Sequence, residues 1–111
     1  MKTMERLSLI NVEFSRMIDV IIERYKPKKI TIFGSFVEGN INEWSDIDLV
    51  VIKDTDKSFY ERLKEIVEIA EPNIAVDIIV YTPQEEEELK DDLFYREEIL
   101  KKGRIIYETL Q

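Results

Sequence analysis

Asp46 and Asp48 stand one residue apart at the start of the apolar run Ile47 to Ile52, "IDLVVI". On an extended backbone alternate side chains share a face, so this spacing brings two carboxylates close together. Like charges that close raise one another's pKa, and a cation between them removes the repulsion. Magnesium suits such a place, because it prefers oxygen ligands and is often held by one or two carboxylates plus substrate phosphate. The plain alternative is a pair of exposed turn residues at a strand entrance. Asp77 lies inside a second apolar run, "IAVDIIV". A strand does not carry an aspartate there cheaply, unless that face is wet or the acid has a task. If the two runs are neighbouring strands, Asp77 projects beside Asp46 and Asp48. Three converging carboxylates make a two-metal arrangement for phosphoryl or nucleotidyl transfer.

Gly34 and Ser35 follow the run "KITIF" directly. Glycine lets backbone N–H groups turn toward a ligand, and a helical turn begun at Ser35 would add free N–H groups and a hydroxyl. That is a phosphate corner. It is also how a strand ends and a short helix is capped when nothing is bound.

Composition narrows the chemistry. The chain has 111 residues with no histidine and no cysteine. Thiolate metal sites, cysteine nucleophiles and histidine-based triads are excluded. Catalysis must lean on carboxylates, hydroxyls, lysine, arginine or bound metal. The net charge of -8 argues against direct binding of nucleic acid and suits a basic protein partner or a metal ion. No run approaches 18 apolar residues and no cleavable leader pattern is present, so a cytoplasmic protein that does not enter membrane is expected. The length suggests a single domain over residues 1–111.

The elements that must position these residues are legible. Leu7, Ile10, Phe14, Met17, Ile18, Ile21 and Ile22 recur at helical spacing from Met4 to Arg24, and Pro27 stops that helix. Strands are predicted over Lys29 to Phe33, Ile47 to Ile52 and Ile74 to Tyr81. A helix is predicted over Asp56 to Ala70, with Phe59, Leu63, Ile66, Val67 and Ala70 on one stripe. Thr82, Pro83 and Glu85 start a last helix, broken near Asp91 and Asp92 and closed by Gly103, before a short strand "RIIYE". The order implies an α/β (α+β) fold, a small mixed β-sheet flanked by helices. The first two strands should be antiparallel, and the second and third, joined by a helix, parallel.

Gly34-Ser35, ten intervening residues, then Asp46-Ile47-Asp48 resembles the signature of the polymerase-beta-like nucleotidyltransferase superfamily. Gly39, Ser45 and the ending "SDIDLVV" fit its small members, and Asp77 falls where its third carboxylate is expected. The chain is similar to the minimal nucleotidyltransferase (MNT) domain. The resemblance implies the nucleotidyltransferase fold. It implies a triphosphate held by Gly34, Ser35 and Ser45, with two Mg²⁺ ions bound by the catalytic residues Asp46, Asp48 and Asp77. ATP would be the substrate. Many such proteins resemble antitoxins paired with an all-helical HEPN toxin, which they modify by moving AMP onto a tyrosine hydroxyl.

At Glu38 many small members carry arginine or lysine, so the triphosphate charge here must be offset by metal or by a residue such as Lys53 or Arg62. Two other functions fit the same residues. One is an antitoxin that neutralises its partner by covering it, and the other is a subunit of a small-molecule nucleotidyltransferase. The small size also suggests self-association to enclose the site.

Overall fold

The computed structural model describes residues 3–34 and 46–109. Helix α1 (Thr3–Val20) continues into a π-helical segment (Ile21–Tyr25). It ends at Lys26, which takes a left-handed conformation (φ 56°) ahead of Pro27, a residue that cannot continue a helix. Strands β1 (Lys29–Phe33) and β2 (Ile47–Ile52) follow, then helix α2 (Phe59–Ala70) and strand β3 (Val76–Tyr81). Helix α3 (Pro83–Leu89), a second π-helical segment (Tyr95–Lys101) and strand β4 (Arg104–Glu108) complete the order.

The four strands form one sheet in the order β3-β2-β1-β4. As the connections required, β1 and β2 are antiparallel while β2 and β3 are parallel. The last strand, "RIIYE", forms and pairs antiparallel with β1. Gly103 makes the turn into it. A Cβ there would meet the Ile99 carbonyl oxygen at 2.3 Å, so only glycine lets the chain leave the helix so closely.

The two faces of the sheet carry different cores. On one face Ile30, Ile32, Leu49, Val51, Ile78 and Val80 pack against α1, its π-helical extension and α2. On the other, Val50 and Ile52 are covered by Tyr95 and Ile99, with Leu89 at the margin. A capping box at Thr82 and Glu85 starts α3, as the sequence indicated. The Asp92 side chain accepts the Tyr95 N–H at 2.9 Å and starts the next helical segment, which explains the break between the two.

Helix α2 begins later than its pattern suggested. Ser58 and Glu61 form a capping box that fixes the first turn at Phe59, so Asp56 lies outside it. Its buried stripe is also rotated. Arg62, Ile66 and Ala70 face the core, whereas Phe59 (51% exposed) and Val67 (40%) face out. Arg62 joins the buried face because its aliphatic stem packs inward while Nε and Nη1 of its head meet the Lys57 and Val80 carbonyls and the Glu85 carboxylate. Arg16 on α1 donates to the carbonyls of Ala70 and Glu71 at 3.0 and 2.9 Å, holding α1 against the end of α2.

Candidate active site

Register places the carboxylates. Phe33 is opposite Asp48 across β1 and β2, and Asp48 is opposite Asp77 across β2 and β3. Directly paired residues share a face, so Phe33, Asp48 and Asp77 form one row across the sheet. The next row on that face is Thr31, Val50 and Ile79, and the third is Lys29, Ile52 and Tyr81. Tyr95 and Ile99 close over the second and third rows. Among the described residues nothing closes over the first row: Asp48 is half-buried and Asp77 exposed.

The covering segment is fixed by a polar tie at the far end. Glu86 accepts a 2.7 Å hydrogen bond from the Tyr95 hydroxyl and forms a 2.8 Å ion pair with Lys29. Burial and then this hydrogen bond push the Tyr95 hydroxyl pKa well up, so it stays a donor at any ordinary pH.

Asp48 is the electrostatic centre of the open row. Burial, then the charges of Asp77 and Asp46, and a hydrogen bond with Asp77 all raise its carboxyl above the usual aspartate range. Asp46 sits exposed just before β2 and acts on Asp48 through its charge. The structure thus brings Asp48 and Asp77 into contact and keeps Asp46 nearby. Among the described residues, no group of three carboxylates is arranged to hold one metal ion.

Gly34 is tied to this centre more tightly than the sequence suggested. Its φ is +80°, a region that side chains other than glycine's rarely adopt. A Cβ built there would also stand 2.4 Å from Asp48 Oδ2. The backbone at the end of β1 therefore lies directly against the Asp48 carboxylate. Ser35, Glu38, Gly39 and Ser45 lie outside the described residues.

Neither of the two cations considered as offsets for Glu38 is at this row. Lys53 follows the far end of β2, donates to the Tyr25 carbonyl at 2.6 Å and lies over the Tyr25 ring. Arg62 is buried under α3. It pairs with Glu85 at 2.7 Å and donates to the carbonyls of Lys57 (2.7 Å) and Val80 (3.3 Å). Both are occupied by structural partners at the ends of β2 and β3 remote from Asp48 and Asp77.

The donor set fits a divalent cation. Asp48 and Asp77 offer hard oxygen ligands, and the Asp48 carboxyl is raised first by burial and then by the charges of Asp77 and Asp46, a repulsion that a cation would relieve. A cleft of about 560 Å³ opens beside them, with Phe33, Asp48, Asp77 and Ile79 on the site face and Leu63 and Val67 of α2 beyond the β3 edge. Sequence reasoning missed these apolar walls. Phe33 and Ile79 belong to the site by register, and Val67 by the rotation of α2, neither of which leaves a local signal.

Comparison with known proteins identifies the family. The sequence profile of the family described as "Polymerase beta, Nucleotidyltransferase" matches residues 16–111. A Methanocaldococcus jannaschii protein provisionally named a protein adenylyltransferase is 33% identical over 100 residues, covering 83% of this chain and 99% of its own. A second protein of that organism, with the same provisional name, is 31% identical over 87 residues, covering 76% and 82%. The crystal structure of a provisionally assigned nucleotidyltransferase from Sulfolobus solfataricus superposes with a TM-score of 0.58 at 17% identity, covering 89% of this chain and 86% of that one. At that identity the likeness concerns the fold.

Proposed function

Because the chain belongs to the polymerase beta nucleotidyltransferase family and is a nucleotidyltransferase, we propose that it moves AMP from ATP onto a tyrosine hydroxyl of a partner protein. The observation that carries this reading is the contact between Asp48 and Asp77 on an open sheet row, with the Gly34 backbone against Asp48. The provisional name of the two M. jannaschii relatives supports a protein as acceptor. The partner we favour is a HEPN-type toxin, with this chain as its antitoxin.

In the reaction, the acceptor hydroxyl oxygen attacks the α-phosphorus of ATP in line. The bond from that phosphorus to the oxygen bridging to the β-phosphate breaks, and pyrophosphate leaves with the electron pair. The hydroxyl proton passes to a carboxylate, for which Asp77 is the exposed member of the pair. Asp48 and Asp77, with Asp46 beside them, would hold Mg²⁺, which neutralises phosphate charge and lowers the barrier to pyrophosphate departure. Gly34, with Ser35 and Ser45, would bind the triphosphate through backbone N–H groups and hydroxyls. No histidine is available, and a carboxylate as proton acceptor is consistent with that composition.

A second reading is supported by the net charge of -8: an antitoxin that works by covering a basic toxin surface. One experiment separates the two. The chain is incubated with ATP labelled at the α-phosphate, Mg²⁺ and a candidate HEPN-type protein. Label is expected on the HEPN protein with wild type and not with Asp48→Ala. Equal labelling, or none with wild type, overturns the transferase reading. Full neutralisation of the toxin by Asp48→Ala would favour cover alone.

A further inference from the structure

Among the described residues, strand β3 is an edge of the sheet, paired to β2 on one side only. In a parallel ladder, alternate residues direct both backbone groups to the same neighbour. Ala75 accepts the Ile47 N–H at 3.1 Å and Tyr81 accepts the Lys53 N–H at 2.9 Å, so the odd-numbered residues of β3 face β2. Val76, Ile78 and Val80 therefore direct their N–H and C=O groups outward. Arg62 satisfies the Val80 carbonyl at 3.3 Å. Among the described residues, the outward backbone groups of Val76 and Ile78 meet no partner. This short open edge flanks Asp77, and the 560 Å³ cleft wraps around it from the carboxylates to Leu63 and Val67. The other free edge, β4, carries none of the three acids.

We propose that the β3 edge at Val76 and Ile78 is the acceptor-docking site, which takes an extended segment of the protein substrate as an added strand. The proposal rests on the reading that the acceptor hydroxyl belongs to a protein. Strand addition fixes the side chains by period two. A tyrosine turned toward Asp48 and Asp77 leaves its two chain neighbours turned toward Leu63 and Val67. The segment therefore carries apolar residues immediately before and after the tyrosine. Main-chain hydrogen bonds supply affinity that tolerates many sequences, while the apolar neighbours and the carboxylates set the register. Charge selects the occupant. Asp77 lies on the edge strand with Asp48 beside it on β2, and the whole chain is at -8, so a second copy laid along β3 would oppose acid with acid. A neutral or basic segment of another protein is complementary.

The test uses the full chain and a blocked peptide of alternating valine and threonine, with one central tyrosine between valines and lysine at both ends. Backbone amide exchange of Val76 and Ile78 is expected to slow by roughly tenfold or more when the peptide is added. Two N-methylated versions of the peptide, each blocked at one alternating set of amides, should differ: one set abolishes the slowing and the other leaves it. Unchanged exchange at Val76 and Ile78, or two methylated sets that behave alike, overturns the docking mode. So does slow exchange in the absence of peptide that deepens with protein concentration, because a second copy then holds the edge. Labelled ATP in parallel reactions keeps the two readings apart. Label on the tyrosine without slowed exchange leaves the transferase reading standing and removes strand docking. Slowed exchange without label does the reverse.

Discussion

Asp48 and Asp77 are direct partners in the parallel ladder between β2 and β3, so two acids separated by a whole helix in sequence meet on one open row of the sheet. Neither acid is placed there by core packing. The same row could hold apolar residues continuous with Val50 and Ile79, and the protein instead maintains a repulsion. Its consequences can be measured.

Replacing either acid should separate function from stability. Asp48→Asn or Asp77→Asn is expected to lower nucleotidyl transfer by roughly 10²–10⁴-fold, the range for loss of a group that acts on the reacting atoms. In the presence of a chelator, Asp48→Asn should melt at the same temperature as wild type or a few degrees higher, because the like-charge contact is gone. Mg²⁺ should raise the melting temperature of wild type and not that of the doubly substituted protein. Calorimetry with and without the ion checks this. A metal-free Asp48→Asn protein that melts well below wild type would show that the carboxylate has a structural role instead.

The pH dependence has a defined sign. The Asp48 carboxyl is raised from its ordinary value of 3.8 in the folded protein. A raised acid favours folding while it is protonated. Its contribution is complete below that ordinary value and is lost as pH rises through the folded value. The melting temperature of the metal-free wild type, measured relative to Asp48→Asn, should therefore fall as pH rises from about 3.8. With Mg²⁺ present the trend should weaken or reverse, since the ion binds the ionised form.

Gly34→Ala is expected to damage stability and site together. The left-handed backbone there costs a residue with a Cβ about 1–2 kcal/mol. The new carbon would also stand on Asp48 Oδ2 and displace the carboxylate. A lower melting temperature and a loss of transfer near that of Asp48→Asn are expected. Wild-type transfer in Gly34→Ala would mean that Asp48 moves without consequence.

The tie between α2 and α3 titrates in the opposite direction. Burial opposes ionisation of Glu85, but hydrogen bonds from Arg62 and the Thr82 amide outweigh it and hold the carboxyl below its ordinary 4.5. A lowered acid contributes stability that is complete above that value and is lost as pH falls through the folded one. Because the Glu85 side chain is 40% exposed and solvent screens the pair, Glu85→Gln should cost about 1 kcal/mol or less at neutral pH, and its difference from wild type should shrink on acidification. Chemical denaturation at pH 7 and pH 3.5 measures both arms.

Much of this protein is local enough to read from sequence. Strands β1 and β2 fall on the residues their apolar, β-branched runs mark out, because Pro27 and Gly34 punctuate them. The capping box at Thr82 and Glu85 and the glycine turn into β4 are short-range hydrogen-bonding and steric facts, and they hold. The start and rotation of α2 were not legible. Arg62 reads as a surface cation until Glu85, 23 residues on, and the carbonyls of Val80 and Lys57 satisfy it in the interior.

For the site, the sequence by itself determined the chemistry. With neither histidine nor cysteine, carboxylates were the expected carriers, and the i, i+2 spacing of Asp46 and Asp48 and the position of Asp77 inside an apolar run singled out three of them as candidates. What only the tertiary structure decided is which of those acids meet, and where. The parallel register sets Asp48 against Asp77, because a shift of one residue would have turned Asp77 to the other face. Among the described residues, the strand order leaves β3 as an edge beside the site. Both depend on pairing across a connection of more than twenty residues, and no local propensity encodes the register of such a pair.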